Sequence, residues 1–93
     1  MAFLRVQIEN NIYEDYDLMH GRTTIGRHLN SDIVITNPSV SNKHARINIE
    51  NGCFVTDLRS SNGTFLNGKK VLHAKLKGGD IINFASISAM FFE

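Results

Sequence analysis

Leu4, Val6 and Ile8 alternate with Arg5, Gln7 and Glu9 near the start of the chain, and Ala45, Ile47 and Ile49 alternate with His44, Arg46 and Asn48 near its middle. A period of two places each apolar set on one face of an extended strand and leaves the other face polar. Runs rich in β-branched and aromatic residues predict further strands over 23–27, 33–35, 53–58, 81–84 and 87–92. Turn signals separate them at Asn10-Asn11, His20-Gly21, Asn30-Ser31, Asn37-Pro38-Ser39, Asn51-Gly52, residues 60–63, Asn67-Gly68 and Gly78-Gly79. Their spacing of about six to fourteen residues is close to that of an all-β sandwich or barrel. Helical spacing arises only over 69–77, where Leu72 and Leu76 stand four apart. That stretch is short and ends at a Gly-Gly pair, which disfavours a helix. The pattern therefore predicts an all-β fold, a sandwich of two antiparallel sheets with hairpin loops gathered at its ends.

Ninety-three residues hold one hydrophobic core, so residues 1–93 are expected to form a single domain. A hydrophobic share of 42% with 20% charged residues excludes a disordered chain. Ten Lys and Arg against nine Asp and Glu leave a formal charge of +1. That balance implies no general attraction to nucleic acid or membrane, so any anion must be caught by a local site. The lone Cys53 excludes an internal disulfide and a multi-cysteine zinc site. The first ten residues lack the apolar region of a signal peptide, and no stretch reaches the roughly 18 apolar residues of a membrane span. The expectation is a soluble, cytoplasmic, monomeric domain.

Ser41, His44 and Asp57 supply the residue types of a nucleophilic triad, but no Gly-x-Ser-x-Gly elbow accompanies them. The four histidines are scattered without metal-ligand spacing, and no P-loop or dinucleotide fingerprint is present, so neither metal nor cofactor is expected. Lys69, Lys70, Lys75 and Lys77 lack interleaved aromatic residues and read as a solvated face, with no nucleic-acid partner. Three polar loops, at 26–32, 36–44 and 59–64, are longer than tight hairpins need. On a rigid β scaffold such loops carry binding residues. Arg27 ends a predicted strand, so its guanidinium projects from the rim with no acidic neighbour in sequence. An arginine fork matches the oxygens of a phosphate, and serine hydroxyls with loop amides add further donors. Asparagine both donates and accepts, which suits it to grip an extended peptide backbone.

The blocks TIGR (24–27), SNKH (41–44), DLRSSNGTFLNG (57–68) and GGDII (78–82) fall in this order along the chain. In this the sequence resembles the forkhead-associated (FHA) domain family, whose pattern is Gly-Arg, then Ser-x-x-His, then Asn-Gly-Thr and Asn-Gly. The resemblance runs from about Phe3 to the C-terminus. It implies a β-sandwich of about eleven strands with binding loops at one end, and a non-catalytic module that reads phosphothreonine. The implied partners are phosphothreonine-containing substrates of a Ser/Thr kinase, or the kinase itself. The alternative is a phospho-independent scaffold of the same fold. By position, Arg27 and Ser41 look like the direct phosphate ligands, with Ser61 a further contact. Asn42 would line the site, and Asn62 would hold the ligand's main chain. Gly26, His44, Gly63, Thr64, Asn67 and Gly68 would support the loops. The sequence departs from the family at Asn42, where arginine is common, at Ser39, where some relatives place a basic residue, and at Ala85, which replaces a glycine of the last turn.

Overall fold

A computed structural model describes residues 2–93. Eleven strands run in the order β1 (Phe3–Glu9), β2 (Ile12–Asp17), β3 (Gly21–Gly26), β4 (Ile33–Val34), β5 (Ala45–Ile49), β6 (Cys53–Asp57), β7 (Thr64–Leu66), β8 (Lys69–Val71), β9 (His73–Lys75), β10 (Ile81–Phe84) and β11 (Ile87–Phe92). They form a six-stranded sheet ordered β2-β1-β11-β10-β7-β8 and a five-stranded sheet ordered β4-β3-β5-β6-β9. The pairings are antiparallel except for the short parallel ladder between β3 and β4, Ile25 opposite Ile33 and Gly26 opposite Val34. The alternation read from the sequence builds the interior. Leu4, Ile47, Val55, Ile82, Phe84 and Phe91 are completely buried between the sheets, a hydrophobic burial of the kind that dominates folding free energy.

Two differences from the sequence pattern have local causes. Ile8, expected to face inward with Leu4 and Val6, is 47% exposed. The β1–β2 register shifts between Gln7 and Glu9, and such a bulge breaks the two-residue period. Residues 69–77 form two three-residue strands interrupted at Leu72, which is exposed while Leu76 is buried. The pair therefore shares no helical face.

One end of the sandwich gathers three loops: those after β3, before β5 and between β6 and β7. Backbone bonds knit them to the sheets. Leu58 N–H donates to the His44 carbonyl at 2.9 Å, and Ala85 N–H to the Gly63 carbonyl at 2.9 Å. This end carries nearly all the residues singled out above.

Candidate functional site

The site begins where β3 runs out. Arg27 N–H donates to the Ser41 carbonyl at 3.0 Å, His28 N–H to the Asn42 carbonyl at 3.3 Å, and His44 N–H to the Ile25 carbonyl at 3.0 Å. The strand end and the 41–44 loop are thereby pressed together. A Cβ on Gly26 would lie 2.0 Å from the Asn42 carbonyl oxygen, so only glycine permits this approach. The Arg27 side chain follows the same loop. Its Nε donates to the Val40 carbonyl at 2.9 Å, which fixes the guanidinium and leaves both terminal amines without a protein partner among the described residues. Among the described residues no carboxylate lies within ion-pair distance of it.

Ser41 sits beside this fork. Its Oγ accepts the Ser61 N–H at 2.9 Å, so its own hydroxyl proton is free to donate elsewhere. Behind it lies His44, fully buried and set nearly perpendicular to the Phe84 ring, with ring centroids 6.0 Å apart. His44 Nδ1 accepts the Ser41 N–H at 3.1 Å. The ring proton is therefore on Nε2, which donates to the Gly63 carbonyl at 2.8 Å. One imidazole thus spaces the Ser41 loop from the Ser61 turn.

A carboxylate builds that turn. Asp57 accepts from Ser60 Oγ at 2.6 Å, from Ser60 N–H at 3.1 Å and from Thr64 Oγ1 at 2.7 Å. Burial pushes its carboxyl up, but the bonds from Ser60 and Thr64 outweigh this and hold it below its ordinary value. Ser60 Oγ also accepts the Gly63 N–H at 2.9 Å, closing the turn around Ser61 and Asn62. Gly63 has a φ of +91°, in the region that glycine adopts without strain. Ser41, His44 and Asp57 do not form a proton relay. Both ring nitrogens of His44 bond backbone groups, and the Asp57 carboxylate is spent on Ser60 and Thr64.

The structure brings Arg27, Ser41, Asn42, Ser61 and Asn62 onto one exposed rim, with Gly26, His44, Gly63 and Thr64 behind it. Asn62 Nδ2 donates to the Ser39 carbonyl at 2.8 Å. Asn42 borders a concavity of about 460 Å³, also lined by Thr24, Ile25, His28, Lys43 and Leu58. Asn67 and Gly68 lie apart, at the far end of β7. They form the β7–β8 hairpin with φ of 50° and 87°, and Asn67 braces the turn before β10 through Asp80 at 3.0 Å and Ile81 N–H at 2.9 Å.

Several supports escaped the sequence reading. Asn37 Oδ1 accepts both Ser39 N–H at 2.9 Å and Ser39 Oγ at 2.6 Å, and Ser39 Oγ pairs with Ser86 Oγ at 2.8 Å. Asn-Pro-Ser and Asp-x-x-Ser are turn-forming strings in which a short polar side chain caps nearby backbone, and that was the available signal.

An anchored arginine fork, a free serine hydroxyl and a braced turn thus stand on the loops of a β-sandwich, donors of the kind that suit an anion. The FHA domain family model matches residues 23–85, and the chain belongs to that family. The glycogen accumulation regulator GarA of Mycolicibacterium smegmatis is 39% identical over 91 residues, which cover 97% of this chain and 58% of GarA. The chain thus spans a little over half the length of that relative. The FHA domain of the CT664 protein from Chlamydia trachomatis superposes with a TM-score of 0.92 at 26% identity, covering 99% of this chain and 96% of that one. A structure from work on phosphothreonine-dependent FHA domain interactions gives 0.92 at 25% identity, covering 99% and 95%. Fold class and strand number agree with the expectation drawn from the motifs. Among the described residues no helix is long and apolar enough to cross a membrane, and no cluster of His, Cys, Asp and Glu is arranged to hold a metal.

Proposed function

We propose that the chain binds phosphothreonine segments of partner proteins and acts in the cytoplasm as a non-catalytic adaptor in Ser/Thr kinase signalling. The observation that carries this reading is Arg27: its guanidinium is held by Val40 yet keeps two terminal amines free of protein partners. Phosphorylation adds about −1.5 to −2 of charge and three acceptor oxygens, which such a fork meets with parallel charge-assisted bonds. Ser41 Oγ, with its proton free, and the Ser61 turn supply the further donors. Asn42 lines the site, and Asn62 holds the main chain of the peptide. Recognition without turnover accords with the bonding of His44, whose ring nitrogens brace two loops and activate no nucleophile. The partner is a kinase substrate or the kinase itself. Titration with one phosphothreonine peptide and its unphosphorylated twin tests the reading: binding of the first only is expected, and equal binding would overturn it.

A further inference from the structure

Two consecutive carbonyls hold two of the side chains proposed to meet the ligand. The Val40 carbonyl accepts the Arg27 Nε–H at 2.9 Å, and the Ser39 carbonyl accepts from Asn62 Nδ2 at 2.8 Å. Arg27 stands just after β3 and Asn62 between β6 and β7. Side chains from two loops thus hang on a third, the turn between β4 and β5.

The sequence builds that turn firmly. Residues 37–40 read Asn-Pro-Ser-Val, and the Val40 N–H donates to the Asn37 carbonyl at 3.0 Å, which closes four residues into a turn. Asparagine at the first position and proline at the second are favoured there, because proline fixes its own φ and asparagine bonds the backbone two residues on. Asn37 Oδ1 does so, accepting the Ser39 N–H at 2.9 Å and the Ser39 hydroxyl at 2.6 Å. The buried Val40 side chain anchors the turn in the core.

Ser39 ties the turn to a further element. Its hydroxyl proton is spent on Asn37, so in the 2.8 Å contact with Ser86 it is Ser86 Oγ that donates. The neighbouring Ala85 N–H donates to the Gly63 carbonyl at 2.9 Å. The β10–β11 turn therefore pins both the 37–40 turn and the turn that carries Asn62.

We propose that Asn37 is a positioning residue for phosphopeptide binding: it shapes the 37–40 turn so that successive carbonyls set the Arg27 fork and the Asn62 amide at fixed places. This rests on the phosphothreonine reading above. A side chain that is already ordered loses less conformational freedom when it binds. Without the Asn37 acceptor, the ligand has to order both side chains itself.

The test reads the side chains and the affinity separately. In heteronuclear NMR spectra of the protein alone, Asn37→Ala should shift the Arg27 Nε–H and the Asn62 side-chain amide toward the positions of free side chains. Asn37→Asp, which keeps the acceptor oxygen, should restore both. Calorimetric titration with a phosphothreonine peptide, at a temperature where circular dichroism shows the variant folded, should find Asn37→Ala about tenfold weaker than the wild type. Ser39→Ala removes the hydroxyl bonds and keeps the backbone one, so its loss should be smaller, and Ser39→Thr should match the wild type. That pair carries the test if Asn37→Ala does not fold. The proposal is overturned if folded Asn37→Ala binds like the wild type, if only one of the two resonances moves, if Asn37→Asp fails to restore them, or if Ser39→Ala and Ser39→Thr bind alike. If the wild type binds phosphorylated and unphosphorylated peptides equally, the phosphothreonine reading has failed and the role in binding falls with it, while the spectra of the protein alone still decide whether Asn37 holds the two side chains.

Discussion

His44 and Gly63, nineteen positions apart in the chain, are joined by a buried 2.8 Å hydrogen bond from the imidazole Nε2 to the carbonyl. The same ring accepts the Ser41 amide, so the spacing of the Ser41 loop and the Ser61 turn is set by one side chain. His44→Ala removes both bonds and opens a cavity against Phe84. It should cost about 1–3 kcal/mol of stability, which for a domain of this size is a fall in Tm of about 4–8 °C per kcal/mol. Thermal melts followed by circular dichroism read this directly. An unchanged Tm would show that the loops hold their spacing without the ring.

Arg27→Ala should weaken phosphothreonine binding by about 2–5 kcal/mol, or roughly 30-fold to several thousand-fold. Arg27→Lys keeps the charge but cannot both donate to Val40 and present a fork, so it should recover only part of the loss. Both variants should fold, because the side chain is exposed and outside the core. Calorimetric titration of the three proteins decides the matter, and near-native binding by folded Arg27→Ala would remove phosphate as the recognised group.

Asp57 links stability to pH. Unfolded, its carboxyl titrates near the ordinary value of 3.8, and folded it titrates lower, because the bonds from Ser60 and Thr64 outweigh burial. A depressed native pKa contributes stability above the unfolded value and loses it as pH falls through the folded one. Urea midpoints should therefore drop as pH is lowered from about 5 to about 2. Asp57→Asn should flatten part of that drop. Asp80, lowered against its own burial by Asn67 and the Lys77 amide, supplies another part. A slope unaltered in Asp57→Asn would mean that Asp57 is not the group responsible.

Ala85 occupies the left-handed region with φ of 56°, at the turn whose amide bonds Gly63. A Cβ there costs about 1–2 kcal/mol, against the smaller entropic cost of glycine, about 0.5–1 kcal/mol. Ala85→Gly should thus stabilise the fold by about 0.5–1 kcal/mol without altering affinity. A lower Tm in that variant would contradict the assignment of strain to this residue.

Strands with one face in the core were legible because burial writes a period of two. β2 was not: its side chains are exposed on both faces save Tyr16, so it pairs with β1 through backbone bonds that leave no hydrophobic signature. β7, β8 and β9 have three residues each, too few for any period to show. At the site, residue types and turn strings marked Arg27, Ser41 and the 60–63 turn. His44 and Gly26 were named among the supports, but the polar bonds around them escaped notice, since nothing in the order of residues says that Asp57 would choose Ser60 and Thr64 over His44, or that Asn37 would seize Ser39. Those choices depend on distances that exist only after the sheets have packed.

The Asn62 amide rests on the Ser39 carbonyl. On the proposed reading, taking hold of a peptide backbone would exchange this hydrogen bond for another, and the enthalpy gained would be only their difference. The side chain is also restrained in advance, so little rotamer freedom is left to lose. Backbone contact then serves as alignment at nearly zero net free energy. On that reading discrimination is concentrated in the phosphate, and a bare threonine in the right sequence would be left with almost nothing to hold it.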